Sequence, residues 1–138
     1  MLKIVLGVIA GFVTWSILWV GTDQVLMTAS PFWYGAHQIA LELAKVNQES
    51  FNADTTILVL NLVRSIVISI MAGFLAAFVA GENRRTPLVL GVLLLLFGIA
   101  VQAAYWNYIP LWYHLAFLAL LIPMAVLGAK FKKVPPMQ

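Results

Sequence analysis

Hydrophobic positions along the chain fall into four long runs that are separated by more polar stretches. Each run approaches or exceeds the roughly 20 apolar residues that an α-helix needs to cross the hydrocarbon core of a bilayer. The pattern predicts four transmembrane helices, at about residues 4–28, 57–80, 88–105 and 111–129. These runs nearly exhaust the chain, so we expect one all-α membrane domain over residues 1–138, with the spans in an antiparallel bundle.

The long connection between the first two runs carries a pattern of its own. Ile39, Leu43 and Val46 recur at helical spacing, and Ser30-Pro31 resembles a helix start, with serine at the N-cap. The opposite side of this helix is polar: His37, Gln38, Glu42 and Lys45. We therefore predict an extra amphipathic helix over about 32–48. Two roles remain open for it, a connector resting on the membrane or a lid over an opening.

Composition and charge place these helices in lipid and orient them. The chain is 63% hydrophobic and 9% charged, with a mean hydropathy of +0.98, whereas soluble domains are about half apolar and a quarter charged. With four spans, both termini and the turn at 81–87 share one side. That side carries six of the eight basic residues: Lys3, Arg84, Arg85, Lys130, Lys132 and Lys133. The positive-inside rule makes it the cytoplasmic side.

Small residues share one face of each predicted span. Lipid is as apolar as leucine, so membrane helices associate where small side chains permit close backbone approach. The packing positions predicted from the 100° helical rotation are Gly7, Gly11, Ala72, Gly73, Ala76, Gly91 and Gly98. Gly7 and Gly11 form a GxxxG pair, which fits either packing within the bundle or a contact between two copies of the chain.

One permanent cation interrupts the second run, which reads "TTILVLNLVRSIVISIMAGFLAAFVAG". Arg64 lies eight residues beyond Thr56, or ~12 Å along the axis, so its long side chain can reach towards the outer interface. The same counting places further polar side chains in that layer: Asn61, Gln102, Tyr105 and His114, with Asp23 near its rim.

Two hypotheses explain this polar layer. It can be a pocket open to the outside, in which Arg64 attracts an anionic or polar ligand and the other side chains share its binding. It can also be a structural cluster, in which Arg64 satisfies backbone carbonyls or pairs with a carboxylate. Asp23 has the right depth but is expected to project away from the glycine face, so Glu42 and Asp54 compete with it.

Other chemistry has little support in the sequence. Cysteine is absent, and no nucleophile elbow, HExxH pair or phosphate-binding loop occurs. His37 and His114 could ligate haem or a metal ion, but their spacing does not support it, so we expect no cofactor, metal or catalytic residue. No basic cluster suited to nucleic acid is present. Aromatic residues predict an outer belt that anchors the bundle: Trp33, Tyr34, Trp106, Tyr108, Trp112 and Tyr113.

Three segments carry a family resemblance: "GFVTWSILW", "VQAAYWNYIPLWYHLAFLALLIP" and "GENRR". With them the chain resembles a loosely defined group of small bacterial four-span membrane proteins without an assigned role. The resemblance implies a bacterial inner membrane and transfers no activity or site residue.

The expected function is therefore a general one. We expect a small integral membrane protein that acts by interaction in the lipid bilayer, as an accessory subunit of a membrane-protein partner or as a homo-oligomer, through its glycine and alanine faces. The alternative is a binder or carrier of a small amphiphilic or anionic ligand in the pocket around Arg64.

Overall fold

The computed structural model describes residues 2–132, and its regular structure is entirely helical. Within that range five α-helices follow one another: α1 Leu2–Ala29, α2 Ala36–Asn47, α3 Thr55–Ala80, α4 Arg85–Ala104 and α5 Leu111–Lys130. Among them α1, α3, α4 and α5 are long and apolar enough to cross a membrane. Their ends lie within one helical turn of the predicted runs. Lys133, one of the basic residues that set the predicted orientation, lies outside the described residues.

The connection between α1 and α3 departs from the predicted continuous helix. Pro31–Gly35 forms a π-helical turn, closed by a hydrogen bond of 3.0 Å from the Gly35 N–H to the Ser30 carbonyl. Ser30 stands at the N-cap and Pro31 in the first turn, as predicted, but the Ser30 side chain makes no capping bond, and α-helical geometry begins only at Ala36. Asp54 does cap α3, because its Oδ1 accepts the Thr56 N–H at 2.9 Å.

Helices α1 and α3 approach each other through small residues. A Cβ atom added at Gly7 would lie 2.5 Å from the Ala76 carbonyl oxygen, and one at Gly11 would lie 2.9 Å from the Ala76 Cβ and 3.1 Å from the Ala72 carbonyl oxygen. Only glycine fits at such a distance. The GxxxG pair of α1 therefore packs within the chain, against the alanine face of α3.

Helix α5 packs against both α3 and α4. At Gly73 an added Cβ would overlap the carbonyl oxygen of Ala125, so the backbones of α3 and α5 are in direct contact there. An added Cβ would lie 3.1 Å from Ile122 at Gly91 and 2.9 Å from Leu121 at Gly98. The glycine faces of α3 and α4 thus both meet α5. Between them the long helices enclose the largest apolar side chains of the core: Trp15, Leu58, Leu90, Leu94, Phe117 and Leu121.

The short turn between α3 and α4 is held by one carboxylate. Glu82 accepts the backbone N–H groups of Arg84 and Arg85, each at 3.0 Å, and that of Thr86 at 2.5 Å. Burial alone would raise the pKa of Glu82, but the hydrogen bonds from Thr86, Arg85 and Arg84 outweigh it and lower the pKa to about 2. The partial positive charge at the N-terminus of α4 also stabilises the negatively charged Glu82 carboxylate.

Replacing Glu82 with alanine is expected to destabilise the fold by about 1 kcal/mol at pH 7, the usual worth of a helix cap. Because the folded-state pKa is depressed from 4.5 to about 2, the benefit is complete above pH 4.5 and is lost as the pH falls through about 2. Unfolding in detergent, followed by circular dichroism between pH 7 and pH 2, measures the difference. Glu49→Ala, at an exposed carboxylate, is the control, and an equal loss there would contradict the cap.

Candidate functional site

Arg64 lies where α1, α3 and the π-helical turn meet, and protein atoms occupy all five of its N–H groups. Nε donates to Thr22 Oγ1 at 3.1 Å. Nη1 donates to Tyr34 Oη at 2.8 Å and to Asn61 Oδ1 at 2.7 Å. Nη2 donates to the Trp19 carbonyl oxygen at 2.7 Å and to Thr22 Oγ1 at 2.8 Å. The guanidinium, on a residue only 8% exposed, has no N–H left to bind a ligand.

The charge of Arg64 is balanced inside the same cluster. Asp23 Oδ1 lies 3.8 Å from Nη1 and accepts the Tyr34 hydroxyl at 2.5 Å. Burial, followed by this hydrogen bond to Asp23, raises the pKa of Tyr34, so its hydroxyl keeps its proton and remains a donor. The Trp19 ring lies 4.3 Å from the guanidinium carbon, close enough for a cation–π contact. We call Arg64, Asp23, Tyr34, Asn61, Thr22 and Trp19 the arginine cluster.

Asp23 is thus the counterion of Arg64, the pairing that its depth along α1 suggested. The side chain of Asp23 reaches Tyr34, which the π-helical turn brings back over the end of α1. Glu42 instead accepts the Tyr105 hydroxyl at 2.5 Å. Asp54 accepts the Trp33 indole N–H at 3.0 Å, and this hydrogen bond is the main cause that lowers the pKa of the Asp54 carboxyl.

Gln102 and His114 form a second, separate polar pair between α4 and α5. Gln102 Oε1 lies 2.5 Å from His114 Nδ1, and the Trp106 ring stacks on the imidazole at 4.7 Å. With the amide oxygen placed towards the ring, Nδ1 is the nitrogen that carries the proton. The predicted polar layer therefore divides into two clusters, and Arg64 bonds neither Gln102 nor His114.

A cavity of about 530 Å³ lies beside these clusters, between α1, α2 and α4. Asp23, Asn61, Gln102 and Tyr105 line it, so the cavity wall includes four of the six predicted ligand-binding residues. Arg64 and His114 are not among its lining residues and lie behind that wall, each bonded to a lining amide. The apolar part of the wall comes mainly from Trp19, Val20, Met27, Leu41, Leu58, Val101 and Ile109.

A smaller cavity of about 200 Å³ adjoins the first. The two share Trp19, Val20, Val101 and Gln102, and the smaller one continues along α1 and α4 to Trp15 and Phe97. It is almost entirely apolar.

Helix α2 forms the remaining wall of the larger cavity. Leu41 and Ala44 are its buried residues; Ile39, Leu43 and Val46 of the predicted apolar face also line the cavity but are largely exposed. His37 ties α2 to the start of α3, because its Nε2 accepts the Asp54 N–H at 3.1 Å.

Three members of the arginine cluster were missed as site residues by the sequence reasoning. Thr22 is not among the predicted site residues, Trp19 contributes its backbone carbonyl, and Tyr34 is predicted only as part of the aromatic belt. Two tyrosines of the predicted aromatic belt, Tyr34 and Tyr113, are buried. Its three tryptophans are exposed: Trp33, Trp106 and Trp112. No sequence spacing links Tyr34 to Arg64, so only the fold could reveal this contact.

Comparisons with known proteins contribute no assignment. No family model, curated protein or solved structure matches this chain.

Proposed function

We propose that this protein is a multi-pass membrane protein that binds one small amphiphilic molecule in the cavity between α1, α2 and α4. The observation that carries the proposal is the cavity itself. Its volume of about 530 Å³ lies within the range typical of ligand pockets, and its wall is mainly apolar with a few convergent polar groups. The adjoining apolar cavity offers space for a hydrocarbon tail.

The same proposal includes an antiparallel bundle in a bacterial inner membrane, with both termini in the cytoplasm. Residue numbers rise along α1 as they fall along α3, since Trp15 bonds Ser69 and Trp19 bonds Arg64. The basic residues at the far end of the bundle support a cytoplasmic position for that end. On this orientation the cavity lies in the outer leaflet, with α2 as its lid.

An anionic ligand fits the cavity less well than an uncharged or cationic amphiphile. Arg64 has its donors occupied, and the carboxylates of Asp23 and Glu42 line the wall. Like charges near a ligand anion raise the cost of binding it. The arginine cluster instead holds Asn61 and Asp23 in place, and so it shapes the wall.

A role through the glycine and alanine faces has less support. Gly7, Gly11, Gly73 and Gly91 meet neighbouring helices of the same chain. Those faces are therefore occupied, and a protein partner or second copy would need a different surface.

Val101 offers a direct test, because it lines both cavities. Purification of the full chain in a mild detergent, followed by native mass spectrometry, is expected to show one bound small molecule on the wild type. Val101→Trp fills the junction of the cavities and should reduce that occupancy at least about tenfold, the effect of losing the hydrophobic contacts of a few methylene groups. Circular dichroism checks that the variant is folded.

The control is Val63→Trp, at a half-exposed position on the outer face of α3, which should retain the bound molecule. If the wild type carries no small molecule and instead copurifies with a stoichiometric protein partner, the interaction role replaces the proposed one.

A further inference from the structure

We infer that the ligand is an uncharged amphiphile whose polar end carries hydrogen-bond acceptor oxygens, such as ring or ester carbonyls. This inference rests on the proposed binding function and names the chemistry of the polar end. The inference follows from the hydrogen-bond donors of the cavity wall that have no protein partner.

Asn61 presents a fixed donor. Its Oδ1 accepts from Arg64 Nη1 at 2.7 Å. Since arginine can only donate, the amide orientation is determined, and the NH₂ group faces away from Arg64. Within residues 2–132 the buried side-chain atoms without a partner are Ser65 Oγ and His114 Nε2. Asn61 Nδ2 is not one of them and has no protein partner, so it is accessible from the cavity that Asn61 lines.

Gln102 presents a second donor, with its amide oxygen placed towards His114. Its Oε1 is engaged by the His114 ring N–H, so the amide NH₂ is left for the cavities that Gln102 lines. Tyr113 lines the larger cavity as well, and its hydroxyl has no partner in the described part of the chain. Three neutral donors, from α3, α4 and α5, therefore converge on one space.

Both carboxylates that line the cavity already have protein partners. Asp23 is paired with Arg64. Glu42 binds the Tyr105 hydroxyl, and Lys45 Nζ lies 4.4 Å from the centre of the same ring, so opposite charges flank Tyr105. Neither a cation nor an anion on the ligand is needed to neutralise the site. Neutral donors that lack partners in an apolar cavity are best satisfied by neutral acceptor oxygens.

The experiment compares three probes that share a decyl tail with a fourth that carries two octanoyl chains. The chain in lipid nanodiscs is titrated calorimetrically with a decyl-substituted benzoquinone, with the matching decylbenzene, and with decyltrimethylammonium; 1,2-dioctanoylglycerol supplies ester carbonyls in place of ring carbonyls. The benzoquinone, the diacylglycerol or both should bind at least about tenfold more tightly than decylbenzene, the worth of one or two neutral hydrogen bonds. Which of the two binds separates a quinone-like ligand from an acyl ester.

Two variants remove the donors and keep the internal bonds. Asn61→Asp retains an oxygen for Arg64, and Gln102→Glu retains one for His114, but an ionised carboxylate has no N–H to donate. Each should reduce the preference for carbonyl probes over decylbenzene by about fivefold. Val63→Trp should leave the preference unchanged.

The outcomes distinguish this inference from the binding function. Equal binding of decylbenzene and the carbonyl probes, abolished by Val101→Trp, would keep the proposed function and overturn the inference. Tightest binding of decyltrimethylammonium would also overturn it. If no probe binds and no lipid copurifies, the proposed function itself fails.

Discussion

Replacing Arg64 with leucine is expected to destabilise the folded protein by about 3–5 kcal/mol, the range found when one partner of a buried ion pair is removed. The change deletes five hydrogen bonds, two to Thr22 Oγ1 and one each to Tyr34, Asn61 and the Trp19 carbonyl oxygen. It also leaves Asp23, whose side chain is 25% exposed, without its counterion. Unfolding by titration with SDS in mixed micelles, followed by circular dichroism, measures the loss.

Arg64→Lys should fall between leucine and the wild type. Lysine keeps the charge opposite Asp23, but its compact ammonium has three donors and cannot reproduce the planar fork that binds Thr22, Asn61 and Tyr34 together. Adding Asp23→Asn to Arg64→Leu should recover part of the stability, because it removes the uncompensated carboxylate.

The matched control is Arg84→Leu, at an exposed basic residue before α4, which should change stability by no more than about 0.5 kcal/mol. If Arg64→Leu is as stable as the wild type but no longer holds the bound amphiphile, then Arg64 binds the ligand directly and its structural role is wrong.

The positions of the long helices could be predicted because membrane spans leave a simple signal. Apolar runs of this length have few alternative structures in lipid, since the backbone must satisfy its own hydrogen bonds. The helical rotation of 100° per residue also placed Asn61 beside Arg64, three residues along the same helix. These features depend only on local geometry.

The side-chain contacts within the site could not be predicted in the same way. Depth along the axis puts Gln102, His114 and Arg64 in one layer, but it does not fix the direction in which each helix faces. That direction depends on how α4 and α5 pack, and the structure pairs Gln102 with His114 alone. Tyr34 depends on the path of the connection, which the π-helical turn sets.

A second large loss of stability is expected from substitutions at the point where α3 and α5 cross. An added Cβ at Gly128 would overlap the carbonyl oxygen of Ile70, and one at Gly73 would overlap that of Ala125. Both obstacles are backbone atoms, which cannot rotate away as a flexible side chain can. Gly128→Ala and Gly73→Ala should each destabilise the bundle by about 3 kcal/mol, the upper end of the usual cost of overpacking, measured by the same SDS titration.

Gly21→Ala is the matched control, because an added Cβ there has no neighbour within 4 Å. Alanine favours a helix over glycine by about 1 kcal/mol, so this variant should be neutral or slightly more stable. The double variant of Gly73 and Gly128 should cost less than the sum of the single changes, since one separation of α3 from α5 relieves both overlaps. Additive losses would mean that the two glycines act at independent contacts, and a Gly128→Ala variant as stable as Gly21→Ala would contradict the close crossing itself.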